Sequence, residues 1–249
     1  MTESILQVVG LGKRFGGLQV TRDLSLDIRR HETHALIGPN GAGKTTFINQ
    51  LHGGILPDAG TIRFDGVEIT REPVHRRALL GVARSFQITS IVAGFTALQN
   101  VALAIQARQG HSFRFWKRAD DDRRLQEPAM ECLRLVNLGG RAHSMAAHLS
   151  HGDRRQLEIA IALAMEPKLL LLDEPMAGMG RDESQRLVQL LKSLKGRYTI
   201  VMVEHDMDAV FSLADRVSVL VRGSVIATGT PAEIGADPAV QAAYLGHQH

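Results

Sequence analysis

Apolar side chains in this chain are grouped in three different ways. Residues 35–37, 169–172 and 199–203 are short, nearly unbroken apolar runs. A strand covered on both faces reads this way, because no side needs to meet water. Residues 5–9 and 24–28 alternate or cluster apolar positions, and residues 60–67 carry Ile62 and Phe64 ahead of an Asp65-Gly66 turn. The opening segment is therefore predicted to be β-rich. Between Phe95 and Leu138 apolar and charged residues recur every three or four positions. This change of period predicts a helical subdomain over residues 88–148. Later, residues 183–194 form an amphipathic helical stretch between the two apolar runs. Strand, helix and strand in that order imply a parallel sheet with right-handed crossovers. Residues 217–221 and 225–227, joined by Arg222-Gly223-Ser224, predict a terminal hairpin.

Residues 38–46, GPNGAGKTT, add chemistry to this pattern. They fit G-x-x-x-x-G-K-[ST] and lie between the 35–37 run and a helix-compatible stretch that includes Phe47, Ile48 and Leu51. That strand, loop and helix context is what the phosphate-binding motif requires. Gly38, Gly41 and Gly43 let the backbone wrap closely, with Pro39, Asn40 and Ala42 completing the loop and Thr46 opening the helix. Successive N–H groups and the helix N-terminus can then face phosphate oxygens. Lys44 would lie against the β and γ phosphates of a nucleoside triphosphate, and Thr45 would hold Mg²⁺. The 169–172 run ends in Asp173-Glu174-Pro175. At the carboxyl end of a buried strand, Asp173 can hold the metal's water shell and Glu174 can orient an attacking water.

Together with Leu149, Ser150, His151, Gly152 and Asp153, these features resemble the ATP-binding cassette (ABC) family over about residues 6–246. The family's signature is L-S-G-G-Q before a helix, so His151 and Asp153 depart from it. The resemblance implies a P-loop NTPase (RecA-like) α/β core with a parallel sheet, an N-terminal antiparallel β subdomain and a helical subdomain. It places core and β subdomain at 1–87 and 149–249, with 88–148 helical. It also implies that Ser150 and Gly152 contact the γ-phosphate of a nucleotide held mainly by a second cassette. Read as a bare pattern, Ser150-x-x-Asp153 before Leu157, Ala160 and Ile161 is equally a helix capping box. The two readings are compatible, since a capped N-terminus also suits a phosphate.

The remaining assignments follow from the resemblance alone. Gln87, in ARSFQ, matches the glutamine that touches Mg²⁺ and water and links the site to the helical subdomain. His205, in VMVEHD, matches the histidine that contacts the γ-phosphate. Phe15 matches the aromatic that stacks on adenine. In place of the family's S-A-L-D after D-E-P the chain has Met176, Ala177, Gly178, Met179 and Gly180, without the aspartate that reaches across the dimer. The Ala-Gly pair, together with ARSFQ, QLEIA, GTPAEI and AAYLG, resembles the ATPase branch of importers for branched-chain amino acids and related small polar solutes such as amides or urea. Partners implied in this way are a second ATPase subunit, identical or not, transmembrane permease subunits and, indirectly, an extracytoplasmic solute-binding protein. The implied location is the cytoplasmic side of the inner membrane, as a peripheral subunit.

Composition narrows the choice. With 249 residues, 44% of them apolar, the chain can bury a substantial core. Its 29 basic and 26 acidic residues leave a formal charge of +3. That surplus is too slight to imply a nucleic-acid partner. The single cysteine, Cys132, allows no intrachain disulfide and falls at helical spacing with Leu125, Ala129, Leu133 and Val136, so it is expected in the core. No apolar run is long enough to span a bilayer, and no signal peptide is expected. His143, His148 and His151 have no metal-site spacing and are expected on the surface. Residues 113–118 interleave aromatic and basic side chains, which suits a loop of the helical subdomain near the membrane as well as an ordinary solvated loop. The rival readings are a soluble ABC ATPase of DNA repair or translation, a GTPase or kinase, and an ATP-gated module with low turnover. A GTPase lacks support, because none of Asn40, Asn49, Asn100 and Asn137 is followed by lysine.

Overall fold

The computed structural model describes residues 3–85, 91–109 and 123–245. Gln87 and residues 113–118 lie outside them. Two long antiparallel strands, β1 (Ser4–Phe15) and β2 (Leu18–Arg29), lead into β3 (Thr33–Ile37), the phosphate loop and α1 (Lys44–His52). Next come β4 (Ala59–Phe64), β5 (Val67–Glu68), α2 (Val74–Leu80) and β6 (Val82–Ser85). Two helices follow, α3 (Ala97–Arg108) and α4 (Arg123–Leu135), then α5 (His151–Ala164), β7 (Leu169–Asp173), α6 (Arg181–Leu194) and β8 (Thr199–Val203). The chain closes with α7 (Met207–Leu213), the hairpin β9 (Arg216–Val221) and β10 (Ser224–Gly229), α8 (Pro231–Ala236) and α9 (Pro238–Leu245).

One sheet has the order β2-β1-β4-β5 and is antiparallel; the other runs β10-β9-β3-β8-β7-β6. In the second sheet every pair is parallel except β9 with β10. The unbroken apolar runs have their explanation in its two covered faces. Leu169, Leu171, Val201 and Val203 pack with Phe47, Ile48 and Leu51 of α1 and with the antiparallel sheet. Their neighbours Leu170, Leu172, Ile200 and Met202 pack on the opposite side with α3 to α7. Side chains alternate across a strand, so a strand buried on both faces needs an apolar residue at every step.

Three expectations change. The opening strands run well beyond residues 5–9 and 24–28, because register shifts at Gly10 and Gly12 interrupt the alternation without ending the ladder. Asp153 does not complete a capping box. Ser150 Oγ accepts the Asp153 N–H at 3.1 Å, but the Asp153 carboxylate accepts from Arg141 Nη1 at 2.7 Å. Aspartate is one methylene shorter than the glutamate that ordinarily reaches back, and the guanidinium takes it instead. Cys132 is half-buried at the edge of the core, with its thiol pushed up chiefly by burial. His143, His148 and His151 are exposed as expected.

Arg77 fixes α1 from behind. Fully buried, it donates to Gln50 O and Leu51 O at the helix C-terminus, and to Thr70 O and Glu72 O. A cation there meets the negative end of the helix dipole and satisfies carbonyls that the helix leaves open. Next to it, burial first and then the Arg84 and Arg77 charges push the His52 pKa down to about 4. The folded chain thus holds His52 neutral where the unfolded chain would protonate it. Stability from this source is intact above about pH 6.5 and is lost as pH falls toward 4, by about 3 kcal/mol at the limit. Urea titrations at pH 7 and pH 4.5 should therefore show a smaller acid loss for His52→Gln than for the parent. Equal losses would remove His52 as the cause.

Candidate functional site

The strand order β3-β8-β7-β6 sets four carboxyl ends side by side: the phosphate loop after β3, Glu204-His205 after β8, Asp173-Glu174 at β7 and Ser85 at β6. Ligands of parallel α/β sheets gather at this edge. The phosphate loop is a tight cradle. A Cβ on Gly38 would stand 2.1 Å from Leu220 O, and one on Gly43 would stand 2.7 Å from Val20 O, so both positions admit only glycine. Gly43 also takes φ 103° as the residue preceding α1, which has no side-chain cap. The first N–H groups of the helix are thereby left for a ligand. Lys44 is only 6% exposed, and its Nζ donates to Gly38 O at 2.7 Å and Pro39 O at 3.0 Å. Burial lowers its pKa, and the facing charges of Glu174 and Asp173 oppose that shift. Thr45 is exposed beside it.

Asp173 is buried, with one oxygen, Oδ2, accepting from Arg84 Nη2 at 2.9 Å. Arg84 is held in turn by Asn49 Oδ1 of α1 at 2.6 Å. The other oxygen, Oδ1, is buried without a hydrogen-bond partner. An orphaned buried carboxylate oxygen at this edge fits a hydrated divalent cation held largely by phosphate and water. Among the described residues there is no cluster of three His, Cys, Asp or Glu that could hold a metal ion. Burial raises the Asp173 pKa more than Arg84 lowers it.

Glu174 and His205 meet directly, Oε1 to Nε2, at 2.6 Å. With the carboxylate ionised, Nε2 carries the proton and donates. Glu174 sits at φ 47°, a strained left-handed conformation, and its N–H donates to Val203 O at 2.9 Å. Phe15, at the end of β1, is 49% exposed, and Lys13 Nζ lies 5.5 Å from its ring centroid. Ser150 and Gly152 lie elsewhere, on an open cavity of about 1250 Å³ that none of residues 38–46, Asp173, Glu174 or His205 lines. The Gly152 N–H donates to Glu183 Oε1 at 3.3 Å, so α6 covers it. Asn49 and Glu183 belong to no motif, and Arg84 in ARSFQ and Glu204 in VMVEHD carry no role in those motifs; their part in this geometry comes from strands and helices distant in the chain.

The profile of the ABC transporter family matches residues 21–177. The chain belongs to that family. This cassette is thus a transport ATPase that binds and hydrolyses ATP. A second profile, the branched-chain amino acid ATP-binding cassette transporter, matches residues 224–249. The cassette is 38% identical to the high-affinity branched-chain amino acid transport ATP-binding protein BraF of Pseudomonas aeruginosa, over 99% of each chain. It is likewise 38% identical to LivG of Salmonella typhimurium, again over 99% of each. Among solved structures it resembles the ADP conformation of an ATP-binding cassette of an ABC transporter, with a TM-score of 0.87, 27% identity and coverage of 99% and 100%. The cassette therefore has the P-loop NTPase fold, with the antiparallel β subdomain expected at its N-terminus. Among its described residues no helix is long and apolar enough to cross a membrane.

Proposed function

We propose that this cassette is the ATPase subunit of an importer for branched-chain amino acids or a closely related small polar solute, working as a pair of cassettes on transmembrane permease subunits. Its place would be the cytoplasmic face of the inner membrane, with an extracytoplasmic binding protein delivering the solute. The similarity to BraF and LivG over nearly the whole of each chain carries this reading. The profile match at residues 224–249 supports it, since that segment lies outside the part shared by ABC ATPases in general. No observation favours a soluble cassette or a low-turnover module.

Residues 38–46 wrap the triphosphate, with backbone N–H groups and Lys44 donating to its oxygens. Phe15 offers its exposed face to the adenine. Thr45, Asp173 and Gln87 would hold Mg²⁺, which when bound neutralises charge on the β and γ phosphates. Glu174 orients the attacking water and accepts its proton; the His205 Nε2–H holds the Glu174 carboxylate before nucleotide arrives and would turn to the γ-phosphate when it is bound. Ser150 and Gly152 serve the nucleotide of the opposite cassette, for which the Glu183 carboxylate must move off the Gly152 N–H. Their cavity, separate from the phosphate loop within one chain, supports that division. Residues 1–87 and 149–249 act as the nucleotide-binding body, and 88–148 as the part that reaches the permease.

Uptake assays test the substrate. The assembled transporter, reconstituted in vesicles with ATP inside and its binding protein outside, should accumulate labelled leucine, isoleucine or valine. Accumulation of urea or an amide in their place would move the cassette to that neighbouring substrate class. ATP hydrolysis with none of these solutes taken up would overturn the importer assignment.

A further inference from the structure

Glu204 stands between β8 and His205, and neither the phosphate motif nor the carboxylate pair gives it a role. It is 4% exposed. Its Oε1 accepts the Met176 N–H at 2.9 Å and its Oε2 accepts the His205 N–H at 3.1 Å, with the Asp206 N–H also directed at the carboxylate. Burying a carboxylate on backbone donors is expensive. The cost is visible in its pKa, which burial raises although all three N–H groups act to lower it. A side chain needed only to fill space at the end of β8 would be apolar or small.

The donors belong to two different turns. Met176 follows β7 two residues after Glu174, and His205 and Asp206 follow β8. Glu174 is anchored to the end of β8 a second time, through its own N–H to Val203 O. Asp206 caps α7 by accepting from the Asp208 and Ala209 N–H groups, so the β8 turn is itself braced from below. The 2.6 Å contact between Glu174 Oε1 and His205 Nε2 is thus made by side chains on two turns that share one buried carboxylate.

We propose that Glu204 is a positioning residue, clamping the turn that carries Glu174 to the turn that carries His205 and thereby setting the contact between those two side chains. This deepens the catalytic reading of Glu174 and His205 and rests on it. With its carboxylate buried on backbone N–H groups, Glu204 would act through the geometry of Glu174 and His205 and not on the reactants themselves.

Glu204→Gln is the matched test, because an amide has one acceptor oxygen and must set its NH₂ against a backbone N–H on the other side. In the full-length chain, the nucleotide Kd should stay within about twofold of the parent while single-turnover hydrolysis falls about 10- to 100-fold. In a His205→Ala background the same substitution should cost less than about twofold, since the contact it serves is already gone. An equal cost in both backgrounds, or no cost in the parent, overturns the proposal. A second readout does not depend on activity. With ¹⁵N-labelled histidine, the His205 Nε2–H resonance held by Glu174 should be present in the parent and lost in Glu204→Gln. Its persistence overturns the clamp whatever the rates do. Should the glutamine variant fail to fold, Glu204→Asp keeps the charge but shortens the reach, and the same cycle and resonance are read with it. If instead Glu174→Gln and His205→Ala hydrolyse ATP normally, the catalytic reading fails, and the resonance alone decides the clamp.

Discussion

Glu174→Gln should leave ATP binding intact and lower turnover by about 10²- to 10⁴-fold, the range that a positioned general base contributes. The substitution is nearly isosteric, and the amide oxygen can still accept from His205 Nε2, which now lies 2.6 Å from Oε1. The backbone of the turn is untouched, with the Glu174 N–H on Val203 O and the Met176 N–H on Glu204. What is lost is the capacity to take a proton from water. Binding and chemistry are thereby separated, and nucleotide-bound pairs of cassettes should accumulate because the step that releases them is blocked. Steady-state phosphate release, the Kd for a fluorescent ATP analogue and elution volume with and without ATP give the three readings. An unchanged rate would remove Glu174 from this role. A lost Kd would mean that its charge serves binding.

Lys44→Ala should act at the earlier stage and weaken ATP binding by about 100-fold, near 3 kcal/mol, as when one partner of a buried charged hydrogen bond is truncated. The ammonium is nearly enclosed, and Glu174 and Asp173 both face it. Without it the incoming phosphates meet two carboxylates and no side-chain cation at that point of the loop. The alanine also leaves Gly38 O and Pro39 O without the donor they have in the parent, so some loosening of the loop is expected. Calorimetric titration with ATP, beside a thermal melt of each chain, separates the two effects. An affinity within about twofold of the parent would overturn the phosphate-loop assignment of Lys44.

Much of this site was legible because its chemistry is local. The phosphate loop needs glycine where a Cβ would strike another backbone and lysine at the helix start, and these lie within nine consecutive letters, GPNGAGKTT. Asp173 and Glu174 announced themselves as two acids after four leucines, a contrast that only a buried strand emerging at an edge explains. Other assignments, Phe15 and His205 among them, came only from family resemblance, since a lone aromatic or histidine has no local pattern. Reading Ser150-x-x-Asp153 as a capping box failed because Arg141, from another turn, competes for the carboxylate. Strand lengths were underestimated where bulges at Gly10 and Gly12 reset the alternation.

The sequence by itself determined which segments are strands buried on both faces, where the phosphate loop lies and which acids stand at a strand end. These depend on side-chain period and on backbone conformations that only neighbouring residues set. Tertiary structure alone decided which partners each acid meets. The order β3-β8-β7-β6 brings His205 to Glu174 and leaves Asp173 with one oxygen tied to Arg84 and the other free. It also makes Glu204, one more polar letter in the sequence, the shared anchor of two turns. Hydrogen bonds between strands far apart in the chain have no periodicity to betray them, and their geometry exists only once the sheet has formed.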